Sequence, residues 1–475
     1  MVKQYDLIWI GTGQATMSIV PRILQLGKTV AVIEADKFGG TCVNSGCTPT
    51  KTLVAAAKVI HQARRGADFG FDIADLSIDF EKTMEPQKTT RAKSTSGIES
   101  ELSSYKNCSV YKGGGEFVDE YTIKVGETKL RGTHIVIHSG SRPRRPDTPG
   151  ANSINALNNK SLLDLNELPE HLAIVGGSYI GLEFAHIFRR LGSKVTVFER
   201  GNQLMFREDP DIALVADDIL SSEQVEIIYE STVTKVSPQG KDGKVLLEYE
   251  QVGQRLSLPA SHILFAIGRE PNSDTLNLDN AGVRINEHGF IEVNNTVQTS
   301  QPHIYAVGDI NGRGVFTHTS VNDGEIFWDH YSRLLNSNSE SPKWDRTLSS
   351  RSTIYSMFID PPLARIGMNE SDAKKSNKNI LMATLPMERI ARAREKQETY
   401  GVVKIFVDQD NEQIVGATVF GVGGDEVIGI FAVFMQSGLS YKHLRRTIFP
   451  HPTVAELMPW VLDNLKLIHR HDPNP

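Results

Sequence analysis

The sequence predicts an α/β protein built from two copies of one parallel-sheet unit, followed by an α+β segment. Three observations point there. An apolar strand, a glycine-rich turn, an apolar-periodic helix and a second strand ending in glutamate occur in that order near the start, and again after residue 170. The acid stands 23 residues after the first glycine both times, from Gly11 to Glu34 and from Gly176 to Glu199. Beyond a polar loop, Asn336 to Pro342, a last stretch of about 350–475 mixes strand and helix patterns.

The composition bounds the function. The 475 residues suffice for roughly three domains, and 39% hydrophobic residues supply several buried cores. With 51 basic and 57 acidic side chains the net charge is -6, which offers no electrostatic footprint for nucleic acid or an anionic membrane. No apolar run approaches the length of about 20 residues that a membrane span needs. Met1 to Ile10 reads as a polar lead into a strand, not a cleavable signal. Three cysteines, Cys42, Cys47 and Cys108, exclude a secreted disulfide scaffold and point to the cytoplasm.

In order along the chain, Tyr5 to Ile10 is a buried strand, Gly11-Thr-Gly13-Gln-Ala-Thr16 a turn, and a helix runs to about Leu26. The strand Thr29 to Ile33 then ends in Glu34. Helical stretches follow at about Lys51–Ala67 and Phe80–Ser104, then a β-rich stretch, Ser109–Ile137. Pro146, Pro149 and Gly150 read as a linker. The second unit runs from His171–Val175 through Gly176-Gly-Ser178-Tyr-Ile-Gly181 and a helix to about Leu191, to the strand Lys194–Phe198 and Glu199. Val225 to Glu250 alternates like a hairpin, His262–Ile267 is a strand, and His469 to Pro475 reads as a frayed tail. Each unit fits a dinucleotide-binding βαβ start: glycines admit the pyrophosphate, the helix N-terminus faces it, and the acid takes ribose hydroxyls. Neither fingerprint is complete, because Thr16 stands at the third glycine position of the first and Ser178 at the second of the second.

The richest stretch is Gly39-Gly-Thr-Cys42-Val-Asn-Ser-Gly-Cys47-Thr-Pro-Thr-Lys51, five residues beyond the first acid. Two cysteines on one helical face could close a disulfide or ligate a metal. A zinc site wants further Cys or His ligands at short spacing, and none follows. A redox-active pair is the better reading, with Lys51 favouring negative charge on a nearby thiolate. Over almost its full length the chain resembles the flavin-dependent pyridine nucleotide–disulfide oxidoreductases, the group of glutathione reductase, lipoamide dehydrogenase and mercuric reductase. The cysteine motif carries the resemblance. In order there follow Ser139-Gly140, Gly176 to Glu183, Gly268-Arg269-x-Pro271-Asn272, Ala306-x-Gly308-Asp309 and His451-Pro452-Thr453-x-x-Glu456.

The resemblance implies two Rossmann-like domains, for FAD and NAD(P), and a C-terminal α+β dimerisation domain. It divides the chain into an FAD-binding first part (1–150), an NAD(P)-binding domain (151–271), a second FAD-binding or central part (272–345) and an interface domain (346–475). Gly11, Gly13 and Glu34 would bind the pyrophosphate and ribose of FAD, and Gly40 and Thr41 would sit against its phosphates and ring. Gly115, Ser139, Gly140 and Gly268 would line the same cofactor, Asp309 would bond its ribitol chain, and Thr317 would lie against the flavin pyrimidine edge. Gly176, Gly181 and Glu199 would hold NADH or NADPH, with Tyr179 as an aromatic gate and Lys51 paired with Glu183 beside the flavin. Cys47 would be the sulfur nearer the ring and Cys42 the interchange thiol. His451, oriented by Glu456, would act as acid–base across the two-fold of a homodimer.

The acceptor stays open between a small disulfide, as for a dihydrolipoyl dehydrogenase, a metal ion (Hg or Cu) and a quinone. The wording Gly46 to Thr52 is most similar to mercuric reductases, but their C-terminal cysteine pair has no counterpart after Cys108. Glu199 favours NADH over a 2′-phosphate, although Arg200 and Arg207 follow closely. A flavin-bound redox-sensing protein with little turnover is the reading from another class. No protein metal site, nucleic acid or membrane partner is expected.

Overall fold

The computed structural model describes residues 2–240, 243–335 and 346–468, so the tail His469 to Pro475 and the loop Asn336 to Pro342 lie outside the described residues. The first sheet is built from β1 (Val2–Ile10), β2 (Val30–Glu34), β3 (Cys108–Lys112), β4 (Gly115–Asp119), β5 (Thr122–Val125) and β6 (Thr128–Ile137), in the order β3-β2-β1-β6-β5-β4. β1 lies parallel to β2 through Leu7↔Val30 and to β6 through Ile10↔Ile137. Its inner residues Leu7, Ile8 and Trp9 are fully buried, as a strand covered on both faces requires. The free edge of β6 is shared: β5 pairs antiparallel with its first half, and Ile304–Ala306 returns from far along the chain to pair parallel with Ile135–Ile137.

Helix α1 (Gln14–Gln25) buries Ala15, Thr16, Ile19, Val20, Ile23 and Leu24 at helical spacing. The helix Thr317–Leu335 crosses it closely, because a Cβ on Gly324 would stand 2.9 Å from that of Ala15. At the third glycine position of the first fingerprint, Thr16 is fully buried and fully employed. Its Oγ1 accepts from Trp9 Nε1 at 2.9 Å and lies 3.3 Å from His138 Nδ1, while His138 Nε2 lies 2.9 Å from Ser320 Oγ. A polar side chain is tolerated there because Trp9, His138 and the Gly11 carbonyl, to which its hydroxyl donates at 3.2 Å, satisfy it.

Burial alone holds His138 near a pKa of about 4. It stays neutral in the fold while the unfolded chain takes up a proton below about 6.5. Its contribution is therefore present above about 6.5 and lost as pH falls to about 4, on the order of 3 kcal/mol. The thermal midpoint should drop across that window, and His138→Gln should lessen the drop.

The second unit is a four-stranded parallel sheet, ordered Glu226–Ile228, Lys194–Phe198, His171–Val175, His262–Phe265, with the helix Tyr179–Leu191 packed on it. The expected hairpin from Val225 to Glu250 is corrected here. Glu226–Ile228 adds to the parallel sheet, and only after Glu230, at φ +50°, does the chain enter the antiparallel meander Ser231–Gln239, Lys244–Gln251, Gln254–Ala260. Alternation does not reveal whether a three-residue strand has a parallel or an antiparallel partner. The two crossings between units run side by side, Ser141–Pro143 antiparallel to Arg269–Pro271.

The last segment forms a six-stranded antiparallel sheet, from Ile354–Met357 at one edge to Lys466–Leu467 at the other, with the helix Gly424–Ser437 packed on it. Buried charges tie it to the second unit. Lys404, 1% exposed, lies 2.7 Å from Asp211, 3.0 Å from Glu370 and 3.5 Å from Asp209. Arg190 bridges Glu223 and Asp360 at 2.7 and 2.8 Å. On the same segment Ile448, Val433 and Trp460 present apolar surface to the outside. No helix among the described residues is long and apolar enough to cross a membrane.

Candidate active site

The two fingerprints superpose in their hydrogen bonds as well as their spacing. Glu34 Oε2 accepts from Thr12 N at 2.9 Å and Thr12 Oγ1 at 2.5 Å, and its Oε1 from Asp36 N at 2.9 Å. Glu199 Oε2 accepts from Gly177 N at 2.9 Å and its Oε1 from Gly201 N at 2.8 Å. Each acid thus binds the residue after the first glycine and the residue two beyond itself. Each turn also needs its glycine: Gly11 (φ +99°) and Gly176 (φ +117°) would drive a Cβ to 2.2 Å from His138 O and 2.5 Å from Ala266 O. Gly13 faces the His138 ring, Gly40 lies against Gly13, and Gly181 touches the Gly176 carbonyl.

These approaches suit dinucleotides. α1, the short helix α2 (Gly40–Ser45) and the helix Tyr179–Leu191 all begin without a side-chain cap, Ser178 included, so their first N–H groups remain available to phosphate. Gly140 (φ +68°) and Gly268 (φ +109°) are open turns with no atom within 4 Å of a built Cβ. Asp309 accepts from Ser141 Oγ at 2.6 Å, and Arg269 Nε lies 3.9 Å away. Ser139 is fastened by Asn272, whose Nδ2 donates to its carbonyl at 2.8 Å. Gly115 opens β4 at the edge of the sheet, with the Ile123 and Ile33 side chains against it.

The cysteines do not share one helical face as the spacing suggested. Gly46, at φ −133° and ψ −120°, breaks the chain between α2, which holds Cys42, and α3 (Cys47–Arg64), which Cys47 opens. A continuous helix would have turned Cys47 well round the axis from Cys42, five residues back. The break instead brings the two thiols near enough for each to set the other's ionisation. Both thiols are free. Cys47 Sγ lies 3.1 Å from Thr317 Oγ1. The hydrogen bond from Cys42, then the Thr317 hydroxyl and the Lys51 charge, outweigh burial and bring the Cys47 thiol down to about 6. The same hydrogen bond, with burial, pushes Cys42 well up.

One turn along α3, Lys51 Nζ meets Glu183 Oε2 at 2.6 Å and lies 4.7 Å over the Phe358 ring. Glu183 Oε1 accepts from Phe358 N at 2.8 Å. Cys47 and Lys51 on α3, Thr317 and Glu183 therefore come together from three separate stretches of chain. Tyr179 stands at the head of its helix with its hydroxyl on Glu208. His451 is apart. Its Nδ1 lies 2.9 and 3.1 Å from the Glu456 oxygens, and 75% of its side chain is exposed on the last segment.

Several contributors escaped the sequence reading. Arg269 donates to Ser141 Oγ, Ser141 O and Thr41 Oγ1, fastening both crossings to α2. Asp323, fully buried, accepts from Gly308 N and Asn311 Nδ2 and pairs with Arg351, which shapes the Asp309 turn. Arg269 lies within the Gly268-Arg269-x-Pro271-Asn272 motif; nothing local signals Asp323.

A dithiol between two dinucleotide-binding units is the make-up of a flavoprotein disulfide reductase. Residues 5–324 match the pyridine nucleotide-disulphide oxidoreductase family model, and residues 353–462 match that family's dimerisation domain. The chain belongs to the pyridine nucleotide–disulfide oxidoreductases, enzymes that pass electrons from NAD(P)H through FAD to a disulfide or related acceptor. It is 35% identical over 462 residues to the probable pyridine nucleotide-disulfide oxidoreductase RclA of Escherichia coli, covering 96% of this chain and 98% of that one. Mercuric reductase of Staphylococcus aureus is 30% identical (95% and 81% covered), as is dihydrolipoyl dehydrogenase of Bacillus subtilis (96% and 97%). A solved Cu(II) complex of the HOCl-induced flavoprotein disulfide reductase RclA from E. coli aligns with a TM-score of 0.86 at 32% identity, covering 98% of this chain and 99% of that chain.

Proposed function

We propose that Cys42 and Cys47 are the redox pair of this enzyme and that a small disulfide is its acceptor. The observation that supports this best is Cys47 at the head of α3, lowered to about 6 and 3.1 Å from the Thr317 hydroxyl, with the Lys51–Glu183 pair one turn away. At neutral pH Cys47 is a thiolate and Cys42 keeps its proton. Once a base takes that proton, Cys42 attacks one substrate sulfur, forming a mixed disulfide and releasing the other half as a thiol. Cys47 then attacks Cys42, closes the Cys42–Cys47 disulfide and releases the second half as a thiolate, which takes a proton from water. Bound FAD supplies the two-electron chemistry that returns the pair to the dithiol at the expense of NAD(P)H.

Gly11, Gly13, Glu34, Gly40, Thr41, Ser139, Gly140, Gly268, Asp309 and Thr317 hold the flavin on this reading. Gly115, at the start of β4, lines the same cofactor. Gly176, Gly181 and Glu199 hold the nucleotide, and the domains fall at 1–150 with 272–345, 151–271 and 346–475. The active unit is a homodimer in which His451, oriented by Glu456, serves the partner's Cys42, and its place is the cytoplasm. The apolar Ile448, Val433 and Trp460 are surface a second copy would cover.

Glu199, held by two backbone N–H groups, carries a negative charge that would repel a 2′-phosphate, so NADH is the preferred donor. The kcat/KM ratio for NADH over NADPH should be about 10 or more, one charge repulsion's worth, and Glu199→Gln should shrink it. A second reading, reduction of a thiol-binding metal ion, draws on the Cu(II) complex of the E. coli relative. Anaerobic NADH titration followed by lipoamide, oxidised glutathione, quinone, Hg(II) and Cu(II) separates these. Rapid bleaching with a long-wavelength thiolate–flavin band and turnover of a disulfide supports the proposal. Turnover of the metal ions alone favours the second reading, and failure to bleach favours a sensor.

A further inference from the structure

Beneath Tyr179 lies a carboxylate that the disulfide chemistry does not use. Glu208 precedes the helix Pro210–Ser222, and its side chain is 1% exposed. Tyr179 donates its hydroxyl to Glu208 Oε1 at 2.5 Å, and Tyr355, from the edge strand of the last sheet, donates to the same oxygen. The other oxygen, Oε2, makes no hydrogen bond and has Arg365 Nη1 3.4 Å away. Arg365 in turn lies 5.1 Å over the Tyr355 ring, and the two tyrosine rings stand 5.3 Å apart. Two units of the protein thus close on one buried carboxylate. Burial and the Glu208 charge push both phenols up, so both protons stay on the tyrosines and both hydroxyls donate.

We infer that Glu208, Tyr355 and Arg365 form a latch that holds the Tyr179 ring across the nicotinamide pocket and so sets how readily the pyridine nucleotide enters. The inference rests on the reading of Tyr179 as the gate. A hydrogen bond to a buried carboxylate is among the stronger ones, because the acceptor is charged and water cannot replace the donor. Swinging the ring aside breaks that bond. The opening stays accessible because, when Tyr179 leaves, Tyr355 keeps its hydrogen bond to Glu208 and Arg365 keeps its charge beside the carboxylate. Tyr355 therefore competes with Tyr179 for one oxygen, and the two hydroxyls act on the gate in opposite directions. Glu208, Tyr355 and Arg365 are positioning residues: they act on the nucleotide through Tyr179.

The test is calorimetric binding of NAD+ and of ADP-ribose to the oxidised holoenzyme. ADP-ribose lacks the nicotinamide and needs no open gate. Tyr179→Phe, which keeps the ring and loses the hydroxyl, should tighten NAD+ by about 10-fold, the gain expected when a mostly closed gate is released, with ADP-ribose unchanged. Tyr355→Phe should weaken NAD+ several-fold, again with ADP-ribose unchanged, because the whole carboxylate then bonds Tyr179. An unchanged ratio of NAD+ to ADP-ribose affinity in Tyr179→Phe overturns the latch, as do equal shifts of both ligands or the same sign of change in the two variants. If the native holoenzyme binds neither ligand, the assignment of the nucleotide site itself falls, and the latch with it.

Discussion

Cys42→Ser lowers disulfide turnover by at least about 10⁴-fold, the scale seen when a covalent nucleophile is lost, while the protein still purifies yellow and is still bleached by NADH. The expectation follows from the division of labour between the sulfurs. Cys42 is the thiol pushed up, so it is the one that must be deprotonated before it attacks. Cys47, lowered to about 6, is on this proposal the thiolate that resolves the mixed disulfide. Serine at position 42 leaves the α2–α3 break and the Thr317 contact in place. Steady-state assay with lipoamide or oxidised glutathione, beside the flavin spectrum, checks both halves. Undiminished turnover would reject the assignment of the pair.

His451→Ala costs about 10²- to 10⁴-fold in disulfide turnover, the usual worth of a positioned general acid–base, and leaves flavin bleaching by NADH at its native rate. His451 Nδ1 is engaged by Glu456, which orients the ring and, on this proposal, leaves Nε2 to exchange the proton. Glu456→Gln keeps a hydrogen-bonding side chain without the charge and should cost less. The dimer assignment has its own readout. Mixing the Cys42→Ser and His451→Ala proteins under conditions of subunit exchange should restore roughly a quarter of the native activity per chain, by statistical assortment of one intact site per mixed dimer. No recovery would place His451 on its own subunit's sulfurs or outside the reaction.

How much of this was legible before the fold was known differs from residue to residue. The repeated unit was visible because strand, turn, helix and acid lie close along the chain, from Tyr5 to Glu34 and from His171 to Glu199, where periodicity and glycine placement leave their mark on the chain itself. The cysteine stretch was visible for the same reason. Its geometry was not: the pattern suggested one helical face, whereas the Gly46 break sets Cys42 and Cys47 on two helices. The three-residue strand Glu226–Ile228 was misread as part of a hairpin because its parallel partner lies 30 residues earlier, at Thr196–Phe198.

What the sequence by itself determined is the local chemistry: two dinucleotide fingerprints with their acids, a pair of thiols beside a lysine, and a histidine followed by a glutamate. Only the tertiary structure decided which of these meet. Thr317 reaches Cys47 across 270 residues, Glu183 reaches Lys51 across 132, and Tyr355 shares a carboxylate with Tyr179 from another sheet. The physical reason is that periodicity and propensity record a residue's relation to its near neighbours along the chain. Such long-range contacts depend on how several packed units settle against one another, and no short window of residues encodes that.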